Sequence, residues 1–211
     1  MTVDAAVLAQ AFAYAAEAHD GQVRKGTDVA YISHPMAVAG LVLEFGGDTA
    51  QAVAALLHDV AEDQGGRERL VDVHSRFGDE VAELVRALSD AVPARGEAKP
   101  PWRARKAAYL DHLADLTAAR HPAVLVSLCD KLHNARCIVA DLRDPEVGAA
   151  VFDRFTADSG GTAWMYRQLH EVFAAAPTGL LPTRALDEFA GLVRVIEHAA
   201  AAARGGGTPQ T

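Results

Sequence analysis

The sequence predicts an all-α protein, one helical bundle of about ten helices. Apolar residues recur at three- and four-residue steps in one stretch after another, as Val7, Leu8, Ala11, Phe12 and Ala15 do near the start. Glycine and proline fall between these stretches, at Gly21, Gly26, Gly46-Gly47, Gly65-Gly66, Pro100-Pro101 and Pro122. No segment alternates apolar and polar residues as a half-buried strand would, and there is no internal repeat. With 211 residues, 50% of them hydrophobic, the chain can bury a core of its own. Residues 1–203 are expected to form one domain and the Gly-rich 204–211 a disordered tail.

The first helix is expected over Asp4 to Asp20, with Asp4 suited to its N-cap. Gly21 to Asp28 reads as a loop that carries the adjacent cations Arg24 and Lys25 between two glycines. His34 precedes a proline that favours the first helical position, which places His34 at the cap of a helix over Pro35 to Phe45. Gly46-Gly47 ends that helix, and Asp48-Thr49 caps the next, which is expected to run through Asp63. Two shorter helices follow, Arg67 to Phe77 and Asp79 to Ser89, then a long loop from Asp90 to Pro101. The remaining helices are expected over Trp102 to Arg120, from Pro122 onward, and over Pro145 to Phe155, Thr162 to Ala175 and Pro182 to Ala203.

Charge narrows the function classes. The net charge is −8, so nothing in the overall field favours nucleic acid, whose binding depends on lysine and arginine meeting phosphates. Any phosphate the protein recognises must be met by a local basic patch. The N-terminus lacks a basic region followed by an apolar signal core, and no apolar run reaches the roughly 18 residues of a membrane span. A cytoplasmic protein without a membrane partner is expected. Cys129 and Cys137 lie two turns apart on one helix, about 12 Å along its axis, too far for a disulfide, and suit small buried positions.

The stretch Gln51 to Asp63 organises the chain. Seven uncharged, mostly apolar residues run straight into His58, Asp59, Glu62 and Asp63. On a continuous helix His58 and Glu62 share a face, as do Asp59 and Asp63, and like charges at such offsets cost about 0.2–0.5 kcal/mol per pair. Carboxylates also sit badly at a helix C-terminus and in partly buried places. A bound divalent metal would offset all of these terms; a solvated acidic helix end with a capping histidine is the alternative. His34, at a helix end, could serve as a further ligand. A second apolar run, Ala123 to Cys129, ends in Asp130-Lys131-Leu132-His133-Asn134-Ala135-Arg136, and an acid at the inner end of a buried segment needs a partner. Arg24-Lys25 reads either as a solvated pair or as a phosphate clamp.

His34, His58-Asp59 and Asp130 stand in the order H…HD…D, which resembles the HD superfamily of metal-dependent phosphohydrolases. Arg24-Lys25, Tyr31-Ile32-Ser33-His34-Pro35, Leu57-His58-Asp59-Val60-Ala61-Glu62-Asp63 and Asp130 to Arg136 together resemble the hydrolase domain of the RelA/SpoT family, over about Val7 to Leu142. The chain is similar to the stand-alone small alarmone hydrolases, since it has no room for the synthetase and regulatory domains of the longer members. The resemblance implies an HD-type helical bundle and removal of the 3′-pyrophosphate from ppGpp and pppGpp. It implies one manganese ion (Mn2+) on His34, His58, Asp59 and Asp130. Glu62 and Asp63 would activate the attacking water or relay its proton, Arg24 and Lys25 would contact the nucleotide, with Arg24 near the base, and Lys131 and Asn134 would line the ribose and phosphate side. Ala30 stands where the family commonly has proline, and Gln64-Gly65-Gly66 where threonine follows the Glu-Asp pair, departures that bear on substrate preference rather than on the ligands.

Two other readings compete: an HD phosphohydrolase for an adenine alarmone or the 2′-phosphate of NADPH, and a catalytically silent nucleotide-binding module. A silent relative would be expected to lose a ligand or the Glu-Asp pair, and this chain keeps them all. His133 and the other histidines outside the motif are expected to pack or face solvent. Trp164 and Tyr166 are expected in the core rather than against the nucleotide. Apolar faces on the late helices permit a homodimer without requiring one.

Overall fold

The computed structural model describes residues 3–63, 65–89 and 100–205, with the side chain of Asp63 outside that set. Among these residues there are nine α-helices, one 3-10 helix and no strand, in line with the all-α expectation. In chain order the helices are α1 (Ala5–Ala18), α2 (Ser33–Glu44), α3 (Thr49–Leu57), α4 (Val60–Asp63), α5 (Gly66–Leu88), α6 (Trp102–Ala118), α7 (Ala123–Arg143), α8 (Ser159–Ala174) and α9 (Thr183–Gly205). The 3-10 helix spans Gly148–Arg154 between α7 and α8.

Local signals account for most boundaries. Asp4 caps α1 by accepting from the amides of Ala6 and Val7. Asp48 and Gln51 form a reciprocal capping box that starts α3, satisfying two otherwise orphaned donors. The two short helices expected around Gly78 form one element, α5, kinked at that glycine, whose φ of 84° a residue with a Cβ adopts only at a cost.

Four expectations change. Helix α2 begins at Ser33, so His34 lies inside its first turn rather than at the cap, and Pro35 is the third residue. That position suits proline equally, because none of the first four amides of a helix has an intrahelical partner. The helix expected to continue to Asp63 stops at Leu57 and resumes at Val60. The His58 ring donates from Nδ1 to Ala55 O, the carbonyl that a continuing helix would assign to the amide of Asp59. The segment from Pro145 holds a turn followed by the 3-10 helix. Helix α9 runs through Gly205, two residues into the expected tail. The rest of that tail, 206–211, and residues 90–99 of the expected long loop lie outside the described residues.

The core gathers around α3 and α7. Helix α3 packs on α1, α2, α5 and α7, and α7 packs in turn on α2, α9 and the 3-10 helix. Both apolar runs are fully enclosed, Ala52 to Leu57 in one and Ala123 to Cys129 in the other. Leu57, Leu128 and Leu132 are completely buried, so truncating any of them to alanine costs about 2–5 kcal/mol. Helices α8 and α9 pair through the T-shaped contact of Phe173 and Phe189, 5.6 Å between centroids. Arg136 on α7 makes a fork to Glu188 on α9 at 2.6 and 2.9 Å. The polar ends of the two buried runs are thereby brought together in the interior.

Candidate metal centre and adjoining cavity

Three helical segments deliver the four expected ligands. The first turn of α2 carries His34, the junction of α3 and α4 carries His58 and Asp59, and the middle of α7 carries Asp130. His34 Nε2 lies 3.1 Å from Asp130 Oδ1 and 3.7 Å from Asp59 Oδ2. His58 Nε2 lies 3.0 Å from Asp59 Oδ2 and 3.7 Å from Asp130 Oδ1. His34, His58 and Asp59 each offer a donor atom within 4.8 Å of the others, a grouping that could hold a metal ion, and Asp130 adjoins both imidazoles.

Each of the four side chains has an outer partner. His34 Nδ1 meets His133 Nδ1 at 2.8 Å, and His58 Nδ1 donates to Ala55 O at 2.8 Å. The Tyr31 hydroxyl donates to Asp59 Oδ2 at 2.5 Å. Asp130 accepts from Lys131 Nζ at 2.6 Å and from Asn134 Nδ2 at 2.7 Å. Such outer partners orient side chains and fix imidazole tautomers.

The electrostatics follow from crowding two acids and two imidazoles inside the protein. Burial is the largest influence on Asp59 and by itself raises its pKa, but the charge and hydrogen bond of His58 outweigh it and hold the carboxyl below the usual range. Burial likewise opposes ionisation of Asp130, and Lys131 with the two imidazoles overrides it. Burial pulls His58 down, while Asp59 and Asp130 lift it well above its ordinary value. Burial lowers His34. Burial, His34 and Arg24 push His133 down to about 4, so it is neutral at physiological pH.

The residues fit a cation. Because Ala55 O can only accept, His58 Nδ1 carries a proton, and in the neutral ring Nε2 presents its lone pair. That buried Nε2 makes no hydrogen bond of good geometry, although two carboxylate oxygens stand close to it. A lone pair facing carboxylates calls for a proton or a metal between them. Two imidazole nitrogens with carboxylate oxygens make a donor set suited to first-row divalent ions.

A cavity of about 700 Å³ adjoins this group, a size within the range of small-molecule sites. Of the expected site residues, Arg24, Lys25, Glu62, Lys131 and Asn134 all line it. Asp63 ends α4, and its side chain lies outside the described residues. Arg105, Lys106 and Arg154 add further cations, so a locally basic wall forms within an acidic protein. Ile138, Met165, Tyr166 and Leu169 supply an apolar part. Lys131 is committed to Asp130 and also lies 5.2 Å from the Tyr109 ring centroid.

Tyr31, Lys131, His133 and Asn134 belong to both features: each lines the cavity and bonds one of the four clustered side chains. His133 therefore departs from the packing or surface role expected of it. Its place at i+3 from Asp130, with Asn134 at i+4 and Cys137 at i+7, puts all four on one face of α7, a signal present in the sequence. Tyr166 is buried and also lines the cavity, while Trp164 stacks under Arg103, its ring centroid 3.3 Å from the guanidinium carbon. Trp102 and Arg154 line the cavity without any local pattern that marks them.

Comparison with known proteins identifies the family. The HD domain family model matches residues 11–156. The chain is 36% identical over 139 residues to the guanosine-3′,5′-bis(diphosphate) 3′-pyrophosphohydrolase MESH1 of Xenopus tropicalis, covering 64% of this chain and 72% of that protein. It is 28% identical over 173 residues to a GTP pyrophosphokinase of Myxococcus xanthus, covering 80% of this chain but 22% of that longer protein. Among solved structures, a metazoan ortholog of SpoT that hydrolyses ppGpp superposes with a TM-score of 0.64 at 26% identity, covering 90% of this chain and 96% of the other.

Proposed function

This chain belongs to the HD domain family, and on that premise we propose that it is a manganese-dependent hydrolase of the 3′-pyrophosphate of ppGpp and pppGpp. The carrying observation is the sharing of residues between the cluster and the cavity: four side chains that line the nucleotide-sized space also bond three of the four candidate ligands, His34, Asp59 and Asp130. The names of the similar proteins support the choice of substrate.

On this reading His34, His58, Asp59 and Asp130 hold the ion. When bound, manganese supplies Lewis acidity to a phosphoryl oxygen and to the attacking water. Glu62, on the cavity wall just beyond His58 and Asp59, accepts the proton of that water, with Asp63 assisting as the next residue of α4. The water oxygen bonds to phosphorus as the bond from phosphorus to the ribose O3′ breaks, and the departing O3′ takes up a proton from solvent, releasing pyrophosphate and GDP or GTP. Arg24 and Lys25 bind the nucleotide from the loop, and Asn134 holds Arg24 in place. The remaining cations of the cavity balance the substrate's phosphates. The enzyme acts in the cytoplasm and limits the stringent response; among the described residues no helix is long and apolar enough to cross a membrane.

Manganese-loaded protein offered ppGpp, pppApp and NADPH side by side tests the substrate. Release of pyrophosphate from ppGpp in clear preference is expected. Preference for either of the others, or inactivity on all three despite bound metal, would overturn the assignment.

A further inference from the structure

Helix α7 sets Asp130, His133, Asn134 and Cys137 on one face. Two of these have evident work: Asp130 reaches the imidazoles of His34 and His58, and Asn134 ties Asp130 to Arg24. His133 touches no carboxylate of the cluster. Its Nδ1 faces His34 Nδ1 at 2.8 Å, and its ring plane is inclined 39° to that of His34, with centroids 4.9 Å apart. Two ring nitrogens at this distance are joined by one hydrogen, carried by one of them.

The remaining geometry decides which nitrogen carries it. His34 is almost wholly buried, and its Nε2 points at Asp130 Oδ1 and Asp59 Oδ2, the side from which a metal would be held. An imidazole that ligates through Nε2 keeps its proton on Nδ1. His133 Nδ1 must then be the acceptor, and the His133 proton resides on Nε2, 3.8 Å from Cys137 Sγ. We propose that His133 is a positioning residue for His34: by accepting the Nδ1–H of His34 it fixes the tautomer and ring angle that present His34 Nε2 to the metal. This inference rests on the metal reading above. Since His133 also lines the cavity, it forms a physical link between the bound nucleotide and the ligand sphere.

The test measures manganese affinity, not turnover. Free Mn2+ is followed by its electron paramagnetic resonance signal during titration of the parent, His133→Phe, His133→Asn and His133→Gln, with circular dichroism to verify folding. Phenylalanine keeps the ring and removes the acceptor; asparagine returns an acceptor near the place of Nδ1; glutamine carries its amide further out, near the place of Nε2. Affinity is expected to fall about 10–100-fold in His133→Phe, the usual cost of losing an outer partner. His133→Asn is expected to stay nearer the parent, and His133→Gln nearer His133→Phe. Undiminished affinity in His133→Phe, or equal affinities in the asparagine and glutamine variants, would overturn the proposal. The second comparison decides alone if His133→Phe does not fold. A parent protein that binds no manganese would instead overturn the metal reading on which the proposal stands.

Discussion

Arg24 Nη2 donates a 2.7 Å hydrogen bond to Asn134 Oδ1, joining the basic loop to a helix 110 residues further along the chain. Asn134 spends its other end on Asp130, so one amide connects the nucleotide-binding cation to the metal cluster. Arg24→Ala is therefore expected to raise KM about tenfold or more, the value of a charge-assisted hydrogen bond to the nucleotide, with bound manganese unchanged. Asn134→Ala is expected to raise KM and also weaken manganese binding. Steady-state kinetics with metal analysis checks both; an Arg24→Ala variant that lost kcat at unchanged KM would contradict the binding role.

The loop that carries Arg24 is pinned by a close approach. Gly26 has φ +73°, and a Cβ there would lie 2.6 Å from Arg154 Cδ, while Arg154 itself is anchored to Asp141 at 2.7 Å. Gly26→Ala is expected to cost about 1–2 kcal/mol from handedness alone and to raise KM as the loop shifts. Gly21 has a similar φ of +71° but open space around it. Gly21→Ala is thus expected to lower the melting temperature and leave KM near the parent value. Equal KM changes in the two variants would show that the Arg154 contact does not position the loop.

The two cysteines are expected to differ in reactivity. Cys129 is fully enclosed, and burial pushes its thiol up to about 12, so it stays protonated. Cys137 is half-buried and lines the cavity. A thiol-specific disulfide reagent at mildly alkaline pH is expected to titrate one thiol in native protein and both after denaturation, with ppGpp slowing the native reaction. Rapid reaction of both thiols in native protein would contradict the burial of Cys129.

The fold was legible because its signals are local. The Asp48 capping box, the glycine punctuation and the apolar runs of α3 and α7 are each encoded within a few residues. The cluster was legible for a different reason: buried runs that end in His58-Asp59 and in Asp130 leave charges needing partners, and in the structure they are neighbours. What escaped the sequence depends on competition or on distance. At the break the His58 ring takes Ala55 O, a pairing that propensity does not foretell. Arg154 reaches the cavity from a 3-10 helix, and its role depends on meeting Gly26, far away in the chain. His133 was within reach, since its spacing from Asp130 marks the shared face of α7, but a histidine without an adjacent acid resembles ordinary packing.

The most direct test of the central claim is pyrophosphate release from ppGpp by the manganese-loaded protein, measured beside metal-free protein and manganese-loaded Glu62→Gln. The parent is expected to release pyrophosphate, the metal-free protein to release none, and Glu62→Gln to keep its manganese while turning over about 10²–10⁴-fold more slowly, as loss of a general base requires. Turnover of Glu62→Gln at the parent rate would remove Glu62 from the mechanism, and undiminished release without metal would contradict the role given to His34, His58, Asp59 and Asp130.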